Sequence, residues 1–98
     1  MADYIISKKT ADDLRKIWNN TAEAWSEKQA DTYYNSLIQS FDYIADNPLS
    51  AGHTYDHVKP WLRGTLSNQH IVFYRVLGNS KVRIIRILHC RMGIGTKF

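Results

Sequence analysis

The 98 residues predict one α+β domain: an N-terminal strand, an antiparallel helical hairpin, then a three-stranded antiparallel sheet, in the order β-α-α-β-β-β. Three observations predict it. Apolar residues recur at helical spacing through residues 11–45. After residue 60 come three short runs rich in β-branched and aromatic residues. Only two or three turn-forming residues separate those runs, which makes them hairpin neighbours.

Tyr4-Ile-Ile-Ser7 is a short apolar run suited to a strand. Thr10 is expected to cap the first helix, with Asp12 and Asp13 in its first turn, where the helix dipole favours carboxylates. Ala11, Leu14, Ile17, Trp18, Thr21, Ala22 and Trp25 give this helix one apolar stripe. Ser26-Glu-Lys-Gln29 has the form of a capping box, so the first helix stops and a second starts there. Ala30, Tyr33, Tyr34, Leu37, Ile38, Phe41, Ile44 and Ala45 keep the spacing for about 20 residues, roughly 30 Å, until Asn47-Pro48 ends it. Trp18, Trp25, Tyr33, Tyr34 and Phe41 lie on these stripes and read mostly as core. Residues 49–59 are irregular and form a loop. Strands are expected over 61–66, 69–77 and 81–89, with Ser67-Asn68 and Gly78-Asn79-Ser80 as turns. A three-residue second turn sets Arg75 opposite Arg83 and Val72 opposite Arg86. The like-charged pair is better tolerated facing solvent or an anionic group.

A chain of this length closes a core without disulfides or metals. No run of about 18 apolar residues is present, so no membrane span is expected. The start, Met-Ala-Asp-Tyr-Ile-Ile-Ser, lacks the basic segment and long apolar segment of a signal peptide. Cys90 is the only cysteine, which excludes an intrachain disulfide and fits a reducing cytoplasm. The net charge of +4 is unevenly spread: residues 1–49 carry five basic and eight acidic groups, residues 50–98 eight basic groups and Asp56 alone. The second half favours an acidic partner.

The chemistry-bearing residues do not assemble into a catalytic set. His53 and His57 have the spacing of two metal ligands on a helical turn, but they follow Gly52 in a loop with no third ligand. Cys90 reads as inert packing beside an apolar strand. Gly93-Ile-Gly95 is too near the terminus to open a nucleotide-binding helix. His70 and His89 read as structural histidines. No cofactor is expected.

Several patterns occur together and in order: Tyr4-Ile-Ile-Ser7, Asp13-Leu14, Ile17-Trp18, Trp25, Gln29-Ala30, Tyr33, Asn47-Pro48, Gly52, Leu62-Arg63, His70-Ile-Val-Phe-Tyr-Arg75 and Arg86-Ile-Leu-His-Cys-Arg-Met92. In them the chain resembles the ParE-type toxins of the ParE/RelE superfamily of bacterial toxin–antitoxin modules, over nearly its whole length. The last two patterns are the most specific. The resemblance implies the same helical hairpin on an antiparallel sheet. It also implies a toxin that poisons DNA gyrase, held by a cognate ParD-like antitoxin and meeting operator DNA only through that antitoxin. Thr10, Asn20 and Gly93 depart from residues usual in the family, and Gly93 bears on target choice because the tail is implicated in poisoning.

A ParD-like peptide with an acidic or amphipathic tail is expected to lie on the hairpin and run along the basic sheet. Trp18, Trp61, Arg63, Arg75, Arg83 and Arg86 are the residues expected to meet it, since arginine pairs bidentately with carboxylates. His89, Arg91 and Met92 are the candidates for gyrase poisoning. Two alternatives stand beside this reading. One is a RelE-like ribosome-dependent mRNA endoribonuclease using Lys59, Arg63, Arg83 and His89; the ribonucleases typically add a tyrosine or histidine in the tail, which residues 91–98 lack. The other is an inactive member that only binds its antitoxin. The expectation is a binding protein, not an enzyme.

Overall fold

The computed structural model describes residues 3–78, 81–91 and 98. β1 (Asp3–Ile6) leads into α1 (Lys8–Ala24) and α2 (Glu27–Asp46). Then come β2 (His53–Thr54), β3 (Arg63–Ser67), β4 (His70–Gly78) and β5 (Lys81–His89). The strands form one sheet in the order β1-β5-β4-β3-β2. β3, β4 and β5 are the expected antiparallel meander. The N-terminal strand joins it as a parallel edge, with Tyr4 beside Val82 and Ile6 beside Ile84. The two-residue strand β2 lies inside the expected loop and pairs with the start of β3.

Both helices cover one face of this sheet. Leu37, Phe41, Ile44 and Ala45 of α2 and Leu14 of α1 pack on Val72, Tyr74, Val82, Ile84 and Ile87. Phe41 is fully buried and meets Tyr4 edge-on, with ring centroids 5.5 Å apart. A side chain of this size in a fully buried position contributes about 3–5 kcal/mol, judged by the cost of its truncation. The stripe on α1 is narrower than expected. Trp25 is the C-cap, one position beyond the helix, and is 79% exposed. Tyr34 is also exposed, while Trp18 and Tyr33 are half-buried.

The first cap falls elsewhere than expected. Ser7, not Thr10, caps α1, and its hydroxyl accepts the Thr10 N–H at 3.0 Å. The reason is tertiary. The Ser7 N–H donates to the Ile84 carbonyl at 3.0 Å, its hydroxyl to the Ile85 carbonyl at 2.8 Å, and the buried Thr10 hydroxyl to Ile84 at 3.0 Å. Starting the helix at Ser7 leaves Lys8 and Lys9 in the first turn and moves Asp13 onto the core side. The second cap is as expected, with the Gln29 N–H bonded to the Ser26 hydroxyl at 3.0 Å.

Those carbonyls lie at a β-bulge. Phe73 stands opposite Arg86 but Tyr74 opposite Ile84, so Ile85 is the extra residue on β5. Arg75 does face Arg83. Beyond the bulge the register has moved by one, and Val72 faces Ile87 instead of Arg86. In the β3–β4 turn Asn68 takes a left-handed φ of 57°, which asparagine tolerates. Gly78 has φ of 90° at the start of the next turn, where a side chain would be strained. Asn79 and Ser80 lie outside the described residues.

Candidate functional site

Alternation along the strands assigns the charged residues to faces. Val72, Tyr74, Val82 and Ile84 point to the helices, so Phe73, Arg75, Lys81 and Arg83 point to the outer face. Ile5, beside Arg83 on the parallel edge, points there too. Half of this face is covered. Tyr55, Val58 and Trp61 from the β2–β3 segment, with Phe98, pack on Leu62, Ile71, Phe73 and Leu88. Among the described residues, none packs over the half formed by β1, β5 and the end of β4.

This half combines an apolar residue with cations that form no ion pair among the described residues. Ile5 is 47% exposed, and Lys81, Arg83 and Arg75 are exposed beside it. The Arg75 guanidinium lies 4.8 Å from the centre of the Trp61 ring, a cation–π contact. Asp3, opposite Lys81, is the carboxylate at the corner of the strip. A patch of this make-up suits an extended or helical partner segment that carries acidic side chains.

Of the residues expected to meet an antitoxin, only some join this face. Arg63 points the other way and is spent within the chain. Its Nε donates to the Tyr74 hydroxyl at 3.2 Å, and one terminal nitrogen donates to the carbonyls of Leu49 at 2.8 Å and Gly52 at 3.0 Å. Arg86 is spent as well, paired through two nitrogens with both oxygens of buried Asp13 at 2.9 and 3.2 Å. This bond raises the guanidinium pKa further, against the opposing effect of burial. Trp18 lies on the hairpin, where its indole N–H donates to Asp31 at 2.9 Å. Ile5 was not foreseen as part of the face; alternation from inward-facing Tyr4 is the signal that finds it.

His89 and Arg91 sit at the far end of β5, away from this strip; Met92 and Gly93 lie outside the described residues. His89 Nδ1 accepts the Arg91 N–H at 3.2 Å, the backbone bond of a structural histidine. Its ring meets His70 edge-on at 5.3 Å, and His70 Nδ1 is bonded to the Tyr33 hydroxyl. Cys90 is exposed and not packed as expected. His53 and His57 are exposed, and among the described residues no group of three or more His, Cys, Asp or Glu side chains is placed to hold a metal.

With that geometry in place, comparison with known proteins is decisive. A model of the family described as ParE toxin of type II toxin-antitoxin system, parDE, matches residues 4–94. The chain belongs to the ParE toxin family. Toxin ParE1 of Mycobacterium tuberculosis H37Rv is 33% identical over 91 residues, 93% of this chain and 92% of the relative. Toxin ParE1 of Caulobacter vibrioides is 34% identical over 92 residues, 94% and 93% of the two chains. Among solved structures, a chain from the chromosomal ParDE TA system of P. aeruginosa superposes with a TM-score of 0.79 at 18% identity, covering 91% of this chain and 96% of that one. This last likeness speaks for the fold, and the ParE-type α+β architecture expected from the sequence is the one observed.

Burial of His70 in this ParE-family chain has a measurable consequence. Its pKa is lowered, first by burial and then by the nearby His89, with Asp13 pulling weakly the other way. A histidine whose folded pKa lies below its unfolded value of about 6.5 takes up protons on unfolding. Stability is therefore full above that value and falls as pH drops through it toward the lowered folded pKa. Urea midpoints measured across this window should decline in the wild type and flatten in His70→Asn. Equal slopes in both would assign the effect to another group.

Proposed function

We propose that this ParE-family chain is a type II toxin that poisons DNA gyrase by stabilising its cleaved-DNA state, and that a ParD-like antitoxin silences it. It acts by binding and not by catalysis, in the cytoplasm, and meets operator DNA only through the antitoxin. The observation that carries the reading is the open strip of Ile5, Lys81, Arg83 and Trp61-stacked Arg75, a surface suited to an acidic, amphipathic segment. Family membership supplies the kind of partner. Among the described residues no helix is long and apolar enough to cross a membrane.

The cations a ribonuclease would need do not converge. Arg63 stands opposite Tyr74 on the helix side and holds loop carbonyls, and Arg83 is on the outer face. His89 pairs with His70, four residues along β4 from Tyr74, about 13 Å at strand spacing. A gyrase assay with and without the purified chain tests the proposal. Accumulation of cleaved DNA, relieved by the antitoxin, is expected. Intact DNA at saturating toxin, or cleavage of ribosome-bound mRNA, would overturn the gyrase assignment.

Reversing charge on the strip tests the docking surface itself. Arg75→Glu with Arg83→Glu should weaken antitoxin binding by about 10-fold or more, the scale of losing charge-assisted bonds. The melting temperature should hold or fall by a few degrees, since two glutamates still face each other and the Arg75 contact with Trp61 is lost. Unchanged affinity by calorimetry would move the docking surface elsewhere.

A further inference from the structure

The Tyr33–His70–His89 chain belongs to neither face of the docking surface; it forms the wall between two hollows on the helix side. The first, about 360 Å³, is a cleft where Lys16 and Asn20 of α1 stand opposite His70, His89 and the Asp13–Arg86 pair. The second, about 370 Å³, shares His70 and is lined by Trp25, Tyr33, Gln29, Gln69 and Asn68.

Hydrogen bonding fixes what the first cleft offers. The Arg91 N–H must donate, so His89 Nδ1 is an acceptor and Nε2 carries the proton. The Tyr33 hydroxyl receives the Gln69 N–H at 3.4 Å, and burial raises its pKa, so its own proton is kept and turned toward His70 Nδ1. That leaves the proton of His70 on Nε2 as well. The carboxylate that could repel an anion is spent, because the Asp13 oxygens accept from Arg86 twice and from the Ile87 N–H at 3.0 Å. What remains is two imidazole N–H groups, an ammonium and a carboxamide. The second hollow differs: Trp25, 79% exposed, forms part of its wall, with the carboxamides of Gln29 and Gln69 alongside.

We propose that the two hollows, which meet at His70, together bind a nucleotide unit, its phosphate among Lys16, Asn20, His70 and His89 and its base against Trp25. A phosphate is the anion whose several oxygens use that many donors. An indole face with amide groups beside it recognises a planar, hydrogen-bonding ring. The site is separate from the strip of Arg75 and Arg83, so it stands or falls independently of the docking reading.

The full chain is titrated, with calorimetry and the histidine ring NMR signals as readouts, using inorganic phosphate, a nucleoside, a nucleoside 5′-monophosphate and a short single-stranded oligonucleotide. The monophosphate should bind more tightly than phosphate or nucleoside, with Kd below about 1 mM, and shift the rings of His70 and His89. The titratable and charged groups facing those rings are Asp13, Lys16, Tyr33, Arg86, Cys90 and Arg91. Lys16→Ala and His89→Gln, at solvent-accessible positions, should each weaken binding about 10-fold. Trp25→Ala should abolish the advantage of nucleotide over phosphate. An oligonucleotide binding more tightly than the monophosphate identifies a nucleic acid strand, and equal affinity identifies a free nucleotide. Unmoved histidine signals, or equal affinities in wild type and variants, would overturn the site.

Discussion

Asp13→Ala is expected to lower the melting temperature by at least about 12 °C. The carboxylate is 7% exposed and its partner Arg86 20%. It accepts three hydrogen bonds, two from the guanidinium and one from the Ile87 N–H beyond the bulge. Removing one member of such a pair leaves a half-buried charge and an orphaned N–H, at a cost of about 3–5 kcal/mol. For a domain of this size each kcal/mol moves the midpoint by roughly 4–8 °C. The loss approaches the whole stability of an ordinary domain, about 5–15 kcal/mol. Asp13→Asn should cost less, because its amide oxygen still accepts from Ile87. Replacing both residues with leucine should recover part of the loss, since an apolar pair of similar volume avoids the desolvation of two charges. A shift below about 4 °C for the alanine variant would show that water replaces the carboxylate.

The same contact explains what the sequence did and did not disclose. Helical spacing was enough to place α1 and α2, because α2 buries a continuous face. Counting back from the turn placed Arg75 against Arg83, and that pair holds although the register is irregular between Val76 and Gly78, because Val76 still faces Val82. Past Ile85 the count fails. The extra residue lets Ile84 and Ile87 both face the helices, and it frees carbonyls that Ser7 and Thr10 satisfy from far away in sequence. The trace of it is the doubled apolar pairs Ile84-Ile85 and Ile87-Leu88, which break strict alternation. Arginines that looked too many for a sheet centre divide accordingly. Arg83 stays outside as a surface cation, while Arg86 is drawn to Asp13 and becomes part of the scaffold. Arg63 had no local signal for its role, since its acceptors are loop carbonyls made available only by the course of residues 49–52.

That loop carries the second large effect, Gly52→Ala, expected to cost about 3 kcal/mol, the upper end for overpacking. A Cβ at Gly52 would stand 2.2 Å from the Gly64 carbonyl oxygen and 2.7 Å from its carbon, and backbone cannot turn aside as a side chain can. The relief available is separation of β2 from β3, which breaks the pairing of His53 with Gly64 and Thr54 with Arg63. The Arg63 bond to the Gly52 carbonyl goes with it, and so does the anchor for Tyr55, whose N–H donates to Leu62 at 2.8 Å. Gly64→Ala is the informative comparison. Its Cβ would meet ring and methyl atoms of Tyr55, Ile71 and Phe73 at 2.8–3.1 Å, which can shift, so a smaller loss is expected. Hydrogen exchange should show the difference locally. In Gly52→Ala the Tyr55 and Leu62 amides lose protection while those of α2 keep it; unaltered protection at Tyr55 would mean the strands absorb the methyl without parting. Because Tyr55, Val58 and Trp61 roof the outer face, loosening them also releases the indole that holds Arg75. The variant should therefore weaken antitoxin binding although Gly52 lies outside the strip.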